Sequence, residues 1–403
     1  MSEHRHEATM PLLTTYAPPA ADLDRLGRTA LAVGGAGALA TAGFALANPA
    51  RFFQAYLVAY VWVLGIALGS FGVMSIHHLS RGGWGLMIRR ILEAATRTLP
   101  LLALAFAPIP LGMKTLYPWA SSHGHGHGHG HASAFRDAYL TPNGFIARAA
   151  VCFVIWSFFS LMLSKMSLKQ DKTGELRLGK KMQSMAAAAV MLHVVAMTSC
   201  GVDWLMSLTP HWMSTIYAFY LIVGQIVAAL AFVIVVSVFL AGRAPLAGRF
   251  RTEHFHDYGK LLLAFIMIWA YFSVSQFLII WSGNLPEETS WYMSRMNGGW
   301  KWFSLVLVIL HFVLPFVLLL SRNLKRDGAR LARVAGMMLF VRWLDLHWLV
   351  APAFSGHANL HPLDVTAALA LGGLWLYLFT RELKTRSLLP DREPALKEAL
   401  GHG

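Results

Sequence analysis

The chain is poor in charged residues, which make up only 13% of its 403 residues. A soluble domain carries roughly 25% charged residues. Hydrophobic residues account for 56% of the chain, and the mean hydropathy is +0.51. So little charge cannot cover a large water-exposed surface. The composition therefore predicts a protein that lies largely within lipid.

Cysteine is also scarce, since Cys152 and Cys200 are the two cysteines of the chain and both lie in apolar stretches. Two isolated cysteines exclude a disulfide framework, a zinc knuckle and a C-x-x-C-H haem attachment. We expect both thiols to be buried as small apolar side chains. The chain alone is therefore expected to bind no iron–sulfur cluster and no covalent haem.

Long apolar runs are abundant, and FYLIVGQIVAALAFVIVVSVFLAG (219–242) contains no charge. Such a run exceeds the roughly 20 residues needed to cross a bilayer. The fold class predicted is an all-α integral membrane protein with about ten transmembrane helices. We predict them at 29–47, 53–76, 98–116, 144–164, 182–202, 214–241, 259–282, 302–321, 331–350 and 365–381. The first is rich in Gly and Ala, which favours close helix packing.

Basic residues indicate how the helices are oriented. If residues 1–28 and 382–403 are cytoplasmic tails, 27 of the 34 Lys and Arg residues fall on the cytoplasmic side. This bias predicts that both termini are cytoplasmic. Because the net charge of +14 is concentrated in short connections between helices, nucleic acid is not an expected partner. Within this scheme 85–98 is an interfacial segment, in which Glu93 can pair with neighbouring arginines.

An unusual histidine tract lies in the predicted outer loop 117–143. Five histidines alternate there with glycine, namely His123, His125, His127, His129 and His131. Several imidazoles could chelate a transition metal loosely. However, the tract holds no carboxylate or thiolate at fixed spacing, and glycine gives no preorganised geometry. A low-complexity loop is the favoured interpretation, and a metal site is the weaker alternative.

Polar side chains within the predicted helices are few, and each costs several kcal/mol in hydrocarbon. Candidates for a proton path or a quinol site are His193, Asp203, His211, Ser273, Gln276, His311, Arg342, Asp345 and His347. Arg342 and Asp345 are three residues apart, so they can pair on one helix face. His193 and Asp203 share a broad face but differ in depth by about 15 Å. They could relay protons, or each could form its own hydrogen bonds with no functional link between the two.

Two further groups have both a functional and a structural interpretation. Trp269, Ser273 and Gln276 form a polar and aromatic stripe that would suit a pore or a quinone headgroup, although hydrogen bonding between helices is the commoner use. His254, His256 and Asp257 lie at the predicted cytoplasmic end of the seventh helix. They could take up protons, or they could simply be solvated.

Three stretches carry a resemblance to a known family. They are SCGVDWLMSLTPHWMSTIYAFYLIVGQ, MIWAYFSVSQFLIIWSGNLPEETSWYMSRMNGGWKW and FVRWLDLHWLVAPAF. Together they resemble the NrfD/polysulfide reductase membrane-subunit family and, more narrowly, the ActF-type subunits of bacterial alternative complex III. The resemblance implies two four-helix bundles, about 53–202 and 214–350, flanked by peripheral helices 29–47 and 365–381.

The resemblance also implies the setting of the protein. It implies the bacterial inner (cytoplasmic) membrane and its lipid, a sister NrfD-like ten-span subunit, and partner subunits that carry iron–sulfur clusters and multiple c-type haems. A terminal oxidase is a further implied partner. The polar residues of the bundles would conduct protons or form a vestigial quinol pocket. The matching positions are His193, Asp203, Arg342, Asp345 and His347.

The expected function is a non-catalytic transmembrane subunit of a quinol:cytochrome c oxidoreductase, or of one that uses another high-potential acceptor. It would support assembly and conduct protons, with quinone or quinol as a potential ligand. One alternative is a quinol-binding subunit in its own right, with His193, Asp203 and His211 at an outer opening. Another is a secondary or metal transporter that uses the histidine tract as a collector.

Overall fold

The computed structural model describes residues 16–121, 136–209, 212–390, 392, 393 and 396. Ten helices are long and apolar enough to cross a membrane, so the chain is a multi-pass membrane protein. They are α1 (Ala20–Ala47), α2 (Pro49–Ser80), α3 (Arg89–Leu111), α4 (Pro142–Thr173), α5 (Leu176–Leu208), α6 (Tyr217–Ala241), α7 (Thr252–Gly283), α8 (Trp300–Leu320), α9 (Gly328–Ala353) and α10 (Pro362–Lys384). The described residues contain no β-strand.

Because each of the ten helices is long enough to span a membrane, successive connections alternate between two ends. The tryptophan-rich end comprises the connections α1–α2, α3–α4, α5–α6, α7–α8 and α9–α10, and the basic end comprises the others together with the C-terminal segment. A linker helix, Pro286–Ser294, lies at the tryptophan-rich end between α7 and α8. Side chains cap several helix starts: Asn48 accepts from the Arg51 amide, and Asp327 accepts from the Arg330 amide.

Helices α2 and α6 are the most buried and pack against each other at the centre. A Cβ at Gly69 of α2 would overlap the backbone oxygen of Gln225 in α6, so only glycine permits this approach. Helix α2 also contacts α3, α5 and α10, and α6 also contacts α5, α7 and α9. The core is thus organised around one central helix pair.

Helices α1 and α10 form a close pair at the periphery. A Cβ at Gly34 would lie 2.7 Å from the Leu374 amide nitrogen, and one at Gly37 would lie 2.7 Å from that of Ala370. The Gly/Ala-rich composition therefore does serve close packing, here against α10. Helix α1 begins at Ala20, earlier than the sequence suggested, and its first turns are held by contacts of Asp24 with Lys384 and of Asp22 with Arg243.

The segment expected to be interfacial is instead a buried helical start of α3, Arg89–Thr96. Its charges neutralise one another. Glu93 accepts from Arg89 (3.3 Å), Arg90 (2.5 Å) and Ser167 (2.6 Å), and Arg386 from the C-terminal segment lies 3.5 Å away. Arg97, in contrast, pairs with Glu382 of α10 at 2.6 Å rather than with Glu93. This cluster fastens the C-terminal segment to α3 at the basic end.

Two helices are interrupted for identifiable reasons. Three prolines, Pro100, Pro108 and Pro110, divide α3 into short helical pieces. Helix α8 contains a π-helical turn, Ile309–Val313. Pro315 follows that turn and has no N–H to donate to the carbonyl of residue 311. Such turns occur frequently at functional sites, and this one contains the candidate His311.

A candidate cavity and ion-pair site

The most prominent candidate site is a cavity of about 550 Å³ at the tryptophan-rich end of α6–α9. This volume lies within the range of small-molecule sites in proteins, about 300–1,000 Å³. Five elements line it, in the order α6, α7, the linker helix and its end, α8 and α9: Tyr217, Tyr220, Trp269, Ser273, Val274, Gln276, Phe277, Trp291, Tyr292, Arg295, Met296, Lys301, Ser304, Leu307, Val308, Trp348 and Leu349. The lining is mainly aromatic, with a few polar groups.

The polar stripe on α7 lies along this cavity. Trp269, Ser273 and Gln276 all line it. The Ser273 hydroxyl, however, donates to the Trp269 carbonyl at 3.0 Å, and Gln276 Oε1 accepts from Ser214 at 3.4 Å. Both side chains are therefore at the cavity wall, but each also serves a hydrogen bond within the protein.

An ion pair lies directly behind the cavity, deep in the fold. Arg342 and Asp345 pair on α9, as their spacing predicts. The other carboxylate oxygen of Asp345 accepts a 2.6 Å hydrogen bond from Tyr220 of α6. Neither Asp345 nor Arg342 is exposed beyond 2%. Because Tyr220 also lines the cavity, its hydroxyl links the cavity to the buried carboxylate.

Arg342 reaches the central helix pair and is accommodated there by a glycine. A Cβ at Gly224 of α6 would overlap the guanidinium group. Arg342 also lines a second, much smaller void of about 20 Å³ together with Gln225 and Cys200. Gln225 Oε1 is buried and has no hydrogen-bond partner in the structure. A void of this size, with polar groups at its wall, can hold about one water.

His311 lies on the π-helical turn of α8 and is completely buried. Its ring stacks on Trp269, with centroids 3.7 Å apart and an interplanar angle of 27°. Neither ring nitrogen has a hydrogen-bond partner. His311 is thus a buried imidazole without a hydrogen-bond partner, stacked on Trp269 of the cavity wall.

Arg295 is the buried cation of the cavity wall and is only 3% exposed. It donates to the carbonyls of Trp291 (2.8 Å) and Leu349 (2.9 Å), and its Cζ lies 3.4 Å from the Trp291 ring centroid. Burial lowers the pKa of Arg295 to about 9, so the guanidinium stays charged at neutral pH. Burial also raises the pKa of the neighbouring Tyr292 to about 12.

The candidates on α5 occupy a different part of the protein. Asp203 forms a bidentate ion pair with Arg148 of α4, at 2.7 and 3.0 Å. His193 is buried between Phe71 and Trp156, with ring-centroid separations of 5.5 and 6.2 Å, and its Nδ1 has no partner. Both candidates are buried, but Asp203 already has a dedicated counter-charge.

The remaining candidates do not join either ion pair directly. His347 lies against Trp300 and Phe303, with its Nε2 3.2 Å from the Asn359 carbonyl oxygen. At the basic end, His254 Nδ1 accepts from the Arg251 amide and helps to cap α7. Asp257 pairs there with Lys260 at 3.2 Å, while His256 is half-buried beside it.

This basic-end group lies well away from the ion pair. Fifteen residues of α7 separate His254 from Trp269, which corresponds to about 22 Å along the helix. A direct contact between the two is therefore excluded by distance.

His211 and the histidine tract from His123 to His131 lie outside the described residues. Within the described part of the chain, no three His, Cys, Asp or Glu side chains gather at metal-binding distances. Cys152 and Cys200 are both buried and free, as their apolar context predicts.

Sequence reasoning missed three important groups: Arg148, Tyr220 and Arg295. Arg148 pairs with Asp203 across 55 residues, and Tyr220 with Asp345 across 125 residues, so neither pairing has a local signal. Arg295 lies in an aromatic connection. A basic residue among tryptophans would have been a useful signal there, because arginine stacks readily on aromatic faces.

No protein-family model matches the chain, and no curated protein matches it. The resemblance of the three quoted stretches therefore remains a prediction.

Proposed function

We propose that the chain is a non-catalytic transmembrane subunit of a respiratory quinol oxidoreductase of the alternative complex III type. It supports assembly and conducts protons, while partner subunits carry the iron–sulfur clusters and c-type haems. It lies in the bacterial inner membrane with its basic end and both termini in the cytoplasm. The observation that carries this proposal is the buried Tyr220–Asp345–Arg342 network next to a cavity.

The helix contacts are compatible with two bundles, α2–α5 and α6–α9, that meet at the α2–α6 pair. Among the candidate carboxylates, each half contains one that is paired with an arginine, namely Asp203 with Arg148 and Asp345 with Arg342. Only the second pair has a neighbouring cavity wall residue as a hydrogen-bond donor, namely Tyr220. Proton movement is therefore assigned to the second half.

A half-channel follows from the order of these groups. Tyr220 lines the cavity, and its hydroxyl contacts Asp345. Arg342 binds the same carboxylate and lines the small void beside Gln225. Ionisable groups buried in a membrane protein are costly and commonly mark such paths. Asp345 would bind and release the proton. The positive charge of Arg342 would repel that proton and prevent it from moving on toward the central helix pair.

The decisive experiment is the proton yield of the intact complex in sealed vesicles during quinol oxidation. Asp345→Asn should lower the number of protons moved per electron while the subunit stays in the complex and electron transfer continues. Asp24→Asn is the matched control, because Asp24 is half-exposed and pairs with Lys384 at the surface. An unchanged proton yield in Asp345→Asn would contradict the proposal. Loss of quinol turnover instead would favour the quinol-binding alternative.

A further inference from the structure

The cavity is open sideways, between α7 and α8. Val274 of α7 and Val308 of α8 both line it, and their side chains are 55% and 48% exposed. Neighbouring apolar side chains on the same outward surfaces are similarly exposed, including Leu278 and Leu305. An apolar surface of this kind faces lipid in a membrane protein. A lipid can therefore reach the cavity without passing through water.

The charge of the cavity wall has one sign. Arg295 and Lys301 line the cavity, and no Asp or Glu does. In the described part of the chain, neither cation forms an ion pair with a carboxylate. Only 3% of the surface of Arg295 is exposed, and its Nε–H has no hydrogen-bond partner. A buried cation without a counter-ion is costly, so the site favours an anionic ligand.

The rest of the wall is apolar and aromatic. Trp269, Phe277 and Leu307 form much of it, in addition to the two valines at the opening. Two cations in the wall and apolar sides leading to lipid match an amphiphile that has a negative headgroup. We propose that this cavity binds an anionic phospholipid, with its phosphate near Arg295 and Lys301 and an acyl chain at the opening between Val274 and Val308.

A neutral quinone headgroup fits the same wall less well. A quinone carries no charge to offset the two cations, and the two serine hydroxyls of the wall already donate elsewhere. The Ser273 hydroxyl already donates to the Trp269 carbonyl at 3.0 Å, and that of Ser304 donates to the Trp300 carbonyl at 2.9 Å. Phosphate oxygens, in contrast, accept charge-assisted hydrogen bonds from arginine and lysine. The lipid assignment does not depend on the proposed proton path.

The test is lipid rebinding to the purified complex after delipidation in mild detergent, followed by native mass spectrometry. The probes are dioleoyl-phosphatidylglycerol, dioleoyl-phosphatidylcholine and decylubiquinone. We expect phosphatidylglycerol to bind about tenfold more tightly than phosphatidylcholine. Lys301→Gln should weaken phosphatidylglycerol binding about fivefold, the effect of one basic residue near anionic lipid. Lys301 is exposed, so this variant tests the charge without disturbing the fold.

Companion variants separate charge from structure. Arg295→Gln should weaken phosphatidylglycerol binding at least tenfold, whereas Arg295→Lys should retain most of it. Lys114→Gln removes an exposed cation of the same end outside the cavity and should have no effect. Equal binding of the two phospholipids, or unchanged phosphatidylglycerol binding in Lys301→Gln, would overturn the proposal. So would decylubiquinone displacing phosphatidylglycerol from the wild-type cavity.

Discussion

The hydroxyl of Tyr220 donates a 2.6 Å hydrogen bond to the carboxylate of Asp345, and it does so across 125 residues of sequence. This contact joins α6 to α9 at the level of the cavity. Because Arg342 occupies the other carboxylate oxygen, Asp345 has two strong donors and no direct exposure. The same contact therefore stabilises the packing of two helices and connects a buried acid to the cavity wall.

Tyr220→Phe removes this hydrogen bond and little else. A hydrogen bond to a charged group contributes about 1.5–3 kcal/mol, so we expect a clear fall in the thermal unfolding midpoint in detergent. Tyr258→Phe is the matched control, since the Tyr258 hydroxyl is equally buried but has no partner. Removing that hydroxyl should be neutral or stabilising. An equal fall in the unfolding midpoint of both variants would show that the hydrogen bond to Asp345 does not account for the loss of stability.

His311→Phe tests whether an unpaired imidazole is kept for function. Phenylalanine preserves an aromatic ring stacked on Trp269 and removes two nitrogens that have no partner. Burying such polar atoms is costly, so the unfolding midpoint should be unchanged or higher. The proton yield per electron should nevertheless fall, if His311 serves the Asp345 path. His193→Phe, in the other half, should leave that yield unaltered, and the reverse pattern would move the path to α5.

Much of the fold could be predicted from the sequence because a membrane requires long apolar helices. The Arg342–Asp345 pair could also be predicted, since residues three apart on a helix are neighbours. The start of α1 could not be predicted. Its first turn contains the polar residues Asp22 and Asp24, whose partners are distant in sequence. Apolar runs show where lipid lies and say little about charges that are neutralised inside the protein.

The candidate site, too, could be predicted from the sequence only in part. The polar stripe on α7 was visible as a spacing of four and three residues, from Trp269 through Ser273 to Gln276. The cavity itself was not, because it exists only where five separate elements meet. Arg295 lies in the aromatic connection between α7 and α8, where its neighbours in sequence do not indicate burial. Its burial depends on Trp291 and on the Leu349 carbonyl of α9, which only the assembled fold brings together.

Arg148→Gln should destabilise the α4–α5 contact strongly. Asp203 is 1% exposed and would keep a buried carboxylate without its bidentate partner. Breaking a fully buried pair in this way typically costs about 3–5 kcal/mol, and we expect a smaller loss here because Arg148 is 24% exposed. Lys260→Gln is the control, because its pair with Asp257 is exposed, and exposed pairs contribute only about 0–1 kcal/mol. The readout is the thermal unfolding midpoint in detergent, and similar midpoints for the two variants would contradict the expectation.

Gly37→Leu should separate α1 from α10. The new side chain would meet the Ala370 backbone at once, since even a Cβ at this position lies only 2.7 Å from its nitrogen, and backbone atoms cannot move aside as a flexible side chain can. Gly35→Leu is a close control, because two residues away nothing lies within 4 Å of the added Cβ. We expect faster proteolysis of the N-terminal segment and a lower unfolding midpoint in Gly37→Leu alone. If both variants behave like the wild type, close helix contact is not what holds α1 in place, and the ion pairs of Asp22 and Asp24 at the basic end would then have to supply that attachment.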